Sequence, residues 1–146
     1  MTEQPYGTRL TAASIDLDML ASVLDGDPNR SEGGYLDLST GETWPAFAFD
    51  EDEDFDPDDD RWQYVPCQGS RGPWQDMRDF IDEHVADPAL ATRLGDAITG
   101  RGAFHRFSSI LRDQDEIRET WLRFKDERAR ARALQWLRDE GILSPR

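Results

Sequence analysis

An acidic run dominates the sequence, because nine of the eleven residues from Asp50 to Asp60 are aspartate or glutamate. No folded core can hold so many like charges, since each buried carboxylate needs a compensating partner. The run must therefore face water or a positively charged molecule. It also marks a change in charge along the chain. Residues 1–60 contain only two basic residues, Arg9 and Arg30, whereas acidic and basic residues nearly balance in residues 61–146.

The composition disfavours several classes of protein. The 146 residues carry a formal net charge of −14 at pH 7, which disfavours direct binding to nucleic acid or to an anionic membrane surface. The single cysteine, Cys67, excludes an internal disulfide and a cysteine-rich zinc site. No signal-peptide pattern and no membrane-spanning apolar run is present. We therefore expect a cytoplasmic protein with no cofactor and no membrane partner.

The first half of the chain predicts one helix and three strands. Residues 1–13 are typical of a flexible arm. Asp16 is placed to cap a helix that ends at Gly26. Its apolar stripe is formed by Met19, Leu20, Val23 and Leu24. The segments at 35–38 and 43–49 predict a hairpin, and residues 61–65 a third strand beyond the acidic loop at 50–60. Pro45 confines the second strand to an edge or a bulge.

The second half predicts only helices. They cover residues 75–85, a segment that starts at Asp87-Pro88, then 103–112 and 115–139. The apolar stripe of the last helix changes face about half-way along it. Either this helix kinks and the core wraps round it, or its two halves pack against different partners. In the second case Trp136 and Leu137 are a candidate contact for a homodimer.

These elements together predict a single α+β domain over residues 1–146. It consists of an N-terminal helix, a three-stranded antiparallel meander and a helical C-terminal half. The predicted core is Leu20, Leu24, Leu36, Leu38, Val65, Phe80, Leu94, Phe104, Phe107, Trp121 and Phe124.

The acidic loop and its aromatic neighbours predict a non-enzymatic module that binds a basic protein surface. Clustered carboxylates accelerate encounter with a positive partner, and rings beside them can anchor it. The alternative is a solvated loop that protects a sheet edge from aggregation. An EF-type calcium loop is disfavoured, because no register of the run offers the required glycine and glutamate. The candidate partner-binding residues are Trp44, Asp52, Asp54, Phe55, Asp56, Asp58, Asp59 and Trp62.

A second candidate site is the segment G-R-G-A-F-H-R-F at 100–107. Two glycines before a helix, together with positive side chains, can hold a phosphate or a carboxylate. This makes a small anionic ligand or a nucleotide the alternative function. The candidate ligand-binding residues are Arg101, Gly102, His105 and Arg106. The same residues also suit a plain helix–helix corner, and the Walker and dinucleotide patterns are missing.

No catalytic or metal-binding set stands out in the sequence. Cys67 has no histidine near it in sequence to activate its thiol. His84 and His105 are too few for a zinc site, which needs three or four ligands. An enzyme with a dispersed active site remains a third alternative.

Four segments together resemble an uncharacterised bacterial protein family. They are I-D-L-D-M-L at 15–20, Y-L-D-L-S-T-G-E at 35–42, M-R-D-F-I at 77–81 and the glycine segment at 100–107. The resemblance implies one intact domain and brings no activity, cofactor or substrate. His105 stands where the family more often has arginine. That difference counts against anion binding, because a histidine in solution is mostly uncharged at neutral pH.

Overall fold

The structure is a computed structural model that describes residues 10–143. The chain divides into two compact units. Residues 71–128 form one, which we call the helical unit. The other consists of the residues up to Ser70 and those from Ala129 onwards, and we call it the sheet unit. Whether the chain folds as the single domain predicted from its sequence stays a prediction.

The α+β fold class is confirmed, with a helical C-terminal half. In chain order the elements are α1 (Leu17–Leu24), β1 (Gly34–Asp37), β2 (Thr43–Pro45), β3 (Trp62–Val65), α2 (Arg71–His84), α3 (Pro88–Ala97), α4 (Ala103–Leu111) and α5 (Asp115–Asp139). Short 3-10 helices lie at Ala12–Ser14 and Ala46–Phe49.

The three strands are antiparallel, as predicted, but their order is β2-β1-β3. In a meander β2 would be central, whereas here Tyr35 of β1 lies between Trp44 of β2 and Tyr64 of β3. The acidic loop explains this order, because it is long enough to carry the chain from the β2 edge to the opposite side of β1.

β2 ends earlier than its sequence predicts. Pro45 is its last residue, and residues 46–49 turn into a 3-10 helix. The backbone N–H of Ala46 still donates to the carbonyl of Gly33 at 2.9 Å. Pro45 lies on an edge strand, as expected for a residue that cannot donate to a ladder.

The sheet unit has its own apolar core. Asp16 caps α1 by accepting a hydrogen bond from the backbone of Met19 at 3.1 Å, as predicted. Leu20, Val23 and Leu24 of the predicted stripe are buried. The prediction for Met19 is wrong, because its side chain is 40% exposed. The core contains Leu10, Ile15, Leu20, Ala21, Val23, Leu24, Leu36, Val65, Ala133, Trp136, Leu137 and Ile142.

The predicted flexible arm is described only in part. Residues 1–9 lie outside the described residues. Leu10 is buried in the core of the sheet unit, and the 3-10 helix at Ala12–Ser14 follows it. In the described part of the arm, Leu10 is therefore packed, whereas residues 11–13 are exposed.

The helical unit surrounds a second core, which is rich in aromatic residues. Its largest buried side chains are Phe80, Phe107 and Trp121. The prediction that Phe104 is buried is wrong, since its side chain is 41% exposed. α4 buries the face formed by residues one helical turn apart, which are Ala103, Phe107 and Leu111. Of the other predicted core residues, Leu38 and Phe124 are half-buried and the rest are buried.

α5 contributes to both cores. Trp121 and Phe124 belong to the helical unit, whereas Ala133 and Leu137 belong to the sheet unit. The two halves therefore pack against different groups, which explains the break in the apolar stripe. Trp136 and Leu137, the candidate homodimer contact, are buried against their own chain. They offer no exposed surface to a second copy.

Candidate functional site

The outer face of the sheet carries a row of aromatic side chains. Successive side chains in a strand point to opposite faces. Leu36 and Val65 face the core, so their neighbours Tyr35 and Tyr64 point outward. Trp44 pairs with Tyr35 and shares its face. We call the side chains of Tyr35, Trp44, Trp62 and Tyr64 the outer face.

Part of the acidic loop folds back on this face through Phe55. The Phe55 ring stacks on Phe49, with centroids 4.0 Å apart, and meets Tyr35 and Trp62 edge-on at 5.0 and 5.3 Å. Such pairs contribute about 0.5–1.5 kcal/mol each beyond the area they bury. Phe55, expected from the sequence to meet a partner, is therefore half-buried and holds its own loop against the sheet.

Three large rings beside the loop are exposed instead. The side chains of Trp44, Tyr64 and Phe47 are 42%, 48% and 73% exposed. Phe47 is missing from the sequence-based candidates because residues 46–49 were expected to be strand. The 3-10 turn points Phe49 into the ring cluster and leaves Phe47 outside it. In a strand Phe47 and Phe49 would share one face, so the A-F-A-F pattern contains no signal that only one of the two rings is exposed.

The acidic loop has a regular local structure. All nine acidic side chains are exposed, so the candidate residues Asp52, Asp54, Asp56, Asp58 and Asp59 lie together at the surface. Three aspartates accept from a backbone N–H two residues later, a turn typical of this side chain. The donor–acceptor pairs are Asp54–Asp52 at 3.0 Å, Asp58–Asp56 at 3.0 Å and Arg61–Asp59 at 2.9 Å.

A buried carboxylate fixes the C-terminal end of the loop. Asp37, only 2% exposed, accepts two hydrogen bonds from the guanidinium of Arg61, at 3.1 and 2.7 Å. It also accepts from the backbone N–H and the hydroxyl of Ser39, at 2.9 and 2.5 Å. Burial by itself would raise the pKa of Asp37, but the bonds from Arg61 and Ser39 outweigh it and lower this pKa to about 2.

The sequence gives little sign of this pair, because Asp37 is the last residue of β1 whereas Arg61 comes just before β3. Asp37 lies in Y-L-D-L-S-T-G-E, where a polar residue reads as surface. The turn that follows it requires glycine, since Gly41 has φ +86° and a Cβ there would lie 2.0 Å from the carbonyl of Ser14. The segment Y-L-D-L-S-T-G-E thus forms a tight turn, packs closely against Ser14 and buries the carboxylate of Asp37.

Arg61 also contacts an aromatic ring. Its guanidinium carbon lies 5.0 Å from the ring centroid of Trp62, within the range of a cation–π interaction. One guanidinium therefore meets a carboxylate at its edge and a ring at its face. This arrangement occurs on the same surface as the exposed rings.

A small open pocket adjoins the outer face. Its volume is about 300 Å³, and Phe47, Asp50 and Glu32 are among its lining residues. Arg30 also lines it and lies 3.8 Å from Asp27 in an ion pair. The pocket brings one exposed ring and two acidic residues within reach of a single incoming side chain.

The glycine corner at 100–107 uses its arginine internally. Arg106 donates to the carbonyls of Ala97 at 2.9 Å and Thr99 at 2.7 Å, and also to that of Arg101. Three of the five N–H groups of the guanidinium are thus used to bind the last carbonyl of α3 and two carbonyls of the connection that follows it. Gly102, with φ +77°, gives Arg106 room, because a Cβ there would lie 2.9 Å from Nη1.

The other predicted members of this corner, Arg101 and His105, are exposed. The corner therefore serves as a helix–helix connection whose strongest anion-binding group is already engaged by carbonyl oxygens. That use of Arg106 weighs against the anion-binding alternative.

His84 and Cys67 are the remaining candidates for chemistry, and their surroundings favour a structural role. His84 packs on Phe80 and Phe124, with ring centroids 5.3 and 5.2 Å away. Cys67 is half-buried. Within residues 10–143, no group of three or more histidine, cysteine, aspartate or glutamate side chains is placed to hold a metal ion.

One further ionic cluster lies in the helical unit. Arg128 of α5 is 3.2 Å from Asp76 and 2.5 Å from Asp79, both on α2, and its guanidinium lies 5.2 Å from the ring centroid of Phe124. Its hydrogen bond lowers the pKa of Asp79. The cluster ties α5 to α2 and repeats the guanidinium–ring–carboxylate arrangement of Arg61.

Comparison with known proteins places the chain in a family. Residues 35–144 match the uncharacterised protein family UPF0158. The chain belongs to this family. UPF0158 protein PA5073 of Pseudomonas aeruginosa is 31% identical over 133 residues, which cover 88% of this chain and 84% of that protein. No solved structure matches the chain.

The UPF0158 match confirms the family resemblance seen in the sequence. The matched range includes the outer face, the acidic loop and the glycine corner. None of the helices within residues 10–143 is both long enough and apolar enough to cross a membrane.

Proposed function

We propose that this UPF0158 protein is a non-enzymatic interaction or regulatory module of the cytoplasm. Its acidic loop and the exposed rings beside it bind a basic surface of another protein. The carboxylates attract and orient the partner, whereas the rings supply contact area.

The observation that best supports this proposal is that exposed carboxylates and exposed aromatic rings lie next to one another. Nine exposed carboxylates lie in one loop, and the exposed rings Trp44, Phe47 and Tyr64 lie beside it in the same unit. Carboxylates alone would suit any solvated loop. Exposed aromatic rings are enriched at protein interfaces, and their presence here favours a binding surface.

The anchoring of the loop also supports the proposal. Phe55 fastens its middle to the ring cluster, and the Asp37–Arg61 pair fastens its C-terminal end. A loop held in one conformation loses less conformational entropy when it binds.

A pull-down with two charge-matched variants tests the proposal. The loop variant replaces Asp52, Asp54, Asp56 and Asp58 with Asn, which keeps the side-chain oxygens that accept the loop's hydrogen bonds. The control variant changes the charge equally with Asp113→Asn, Glu119→Gln, Glu127→Gln and Glu140→Gln, which are exposed positions outside residues 32–65.

Wild type and the control variant should retain the same proteins from a lysate of the native cell. The loop variant should lose them, and rising salt should release them from the wild type. Equal retention by the loop variant, at all salt concentrations, would remove the loop from the proposed function.

A further inference from the structure

We infer that the outer face recognises arginine side chains of the partner in preference to lysine. Each incoming guanidinium takes one exposed ring on its face and one carboxylate of the loop or the pocket at its edge. This inference rests on the proposed function and names the partner's chemistry.

The chain itself already holds arginine side chains in the way that we propose for those of the partner, between a ring and a carboxylate. Arg61 lies over Trp62 while Asp37 accepts two of its hydrogen bonds. The outer face thus already accommodates one guanidinium between a ring and a carboxylate. Arg128 is held in the same way in the helical unit, by Phe124, Asp76 and Asp79.

Exposed rings of the same unit are available to an incoming guanidinium, since Trp44, Tyr64 and Phe47 are 42%, 48% and 73% exposed. Phe47 lines the pocket together with the acidic residues Asp50 and Glu32. Tyr64 is linked to the same place, because its hydroxyl donates to the carbonyl of Glu32 at 3.0 Å. Trp44 extends the row of rings to the β2 edge.

The chemistry of the two cations explains the preference. A guanidinium is planar, stacks on aromatic faces and presents paired donors that match a carboxylate. The ammonium of lysine is a compact, strongly hydrated charge. A loop that acts only through its charge would attract both equally, whereas rings beside carboxylates favour arginine.

Peptide binding tests this inference separately from the proposed function. Two fluorescein-labelled peptides of equal length and charge, one alternating glycine with arginine and the other glycine with lysine, are titrated with the full chain, and anisotropy reports Kd. The arginine peptide should bind about two- to fivefold more tightly for each ring engaged. Raised salt should weaken both peptides.

Matched variants test which rings cause the preference for arginine over lysine. Trp44→Ser combined with Phe47→Ser should remove most of it and leave the lysine peptide nearly unaffected, because the carboxylates remain. Phe104→Ser, which removes a ring of the helical unit about as exposed as that of Trp44 (41% against 42%), should leave the preference intact. Phe47→Ser alone, the most exposed position, is the substitute if the double variant does not fold.

The outcomes separate the two proposals. Equal affinity for both peptides overturns the arginine preference and leaves the acidic surface as the binding site. Binding of neither peptide overturns the proposed function together with this inference. A preference that persists without Trp44 and Phe47 overturns the assignment to these rings.

Discussion

At the scale of single residues, the acidic loop depends on a carboxylate outside it. Asp37 is buried beneath the end of the loop and is paired with Arg61. Its lowered pKa means that folding stabilises the charged form. The charge therefore favours the folded state above the usual pKa of 3.8, and this stabilisation is lost as the pH falls through about 2.

We predict that Asp37→Asn lowers the free energy of unfolding by about 2 kcal/mol at pH 7, the amount that corresponds to its pKa shift. Urea denaturation measures it. The difference from wild type should stay constant above the unfolded pKa and shrink as the pH falls from 4 towards 2. Asp58→Asn in the exposed loop is the control and should change stability by about 0.5 kcal/mol or less. Equal effects of the two substitutions would contradict the assigned role of Asp37.

A second prediction concerns two phenylalanines of α4. Phe107 is buried, so Phe107→Ala should destabilise the protein by about 3–5 kcal/mol. Phe104, three residues earlier, is 41% exposed, so Phe104→Ala should cost about 1 kcal/mol or less. Thermal or chemical denaturation compares them. Similar losses would mean that both rings lie in the core, as the sequence suggested.

At the scale of secondary structure, most elements could be predicted because their signals are local. Asp16 caps α1, Asp87 accepts from the backbone of Ala89 at the start of α3, and α5 has the predicted bounds. Two of the wrong predictions, the strand order and the length of β2, depend on distant partners. The strand order required knowing where the chain returns after the acidic loop, and the short β2 depended on where Phe49 packs.

The negative charge of the candidate site could be predicted from the sequence, but the arrangement of its side chains could not. The acidic run at 50–60 predicts exposed carboxylates, and all nine are exposed. The half-burial of Phe55, the exposure of Phe47 and the pairing of Asp37 with Arg61 follow from contacts between segments far apart in sequence. No local pattern contains them.

The glycine corner gives a prediction at this scale. Because Arg106 binds three carbonyls between Ala97 and Arg101, Arg106→Lys should lower the free energy of unfolding by about 1–3 kcal/mol. Arg101→Lys, an exposed position, should change it little. Denaturation and a phosphate titration are measured on both variants. Unchanged stability of Arg106→Lys with loss of phosphate binding would restore the anion-binding alternative.

At the scale of the whole molecule, charge is unevenly distributed. The chain carries −14 in all, and nine of its acidic side chains lie within one loop. Repulsion among them opposes the folded state at low ionic strength and is screened by salt, with a Debye length of about 10 Å at 0.1 M.

We therefore predict that sodium chloride raises the melting temperature, and that the four-residue loop variant melts about 2–4 °C higher than wild type in low salt. The salt response of the loop variant should be smaller, because part of the repulsion has been removed. The control variant with four neutralised residues outside the loop should respond more like wild type. A loop variant that melts lower than wild type in low salt would show that the carboxylates stabilise the fold, contrary to a role in binding.

The most direct measurement of the proposed surface is a map of backbone amide signals by ¹H–¹⁵N NMR during titration of the full chain with the glycine–arginine peptide. We predict that the perturbed amides cluster at residues 32–37, 44–50 and 52–65, and that raised salt reverses the shifts. Perturbations centred on α4 or α5, with residues 44–65 unchanged, would contradict it.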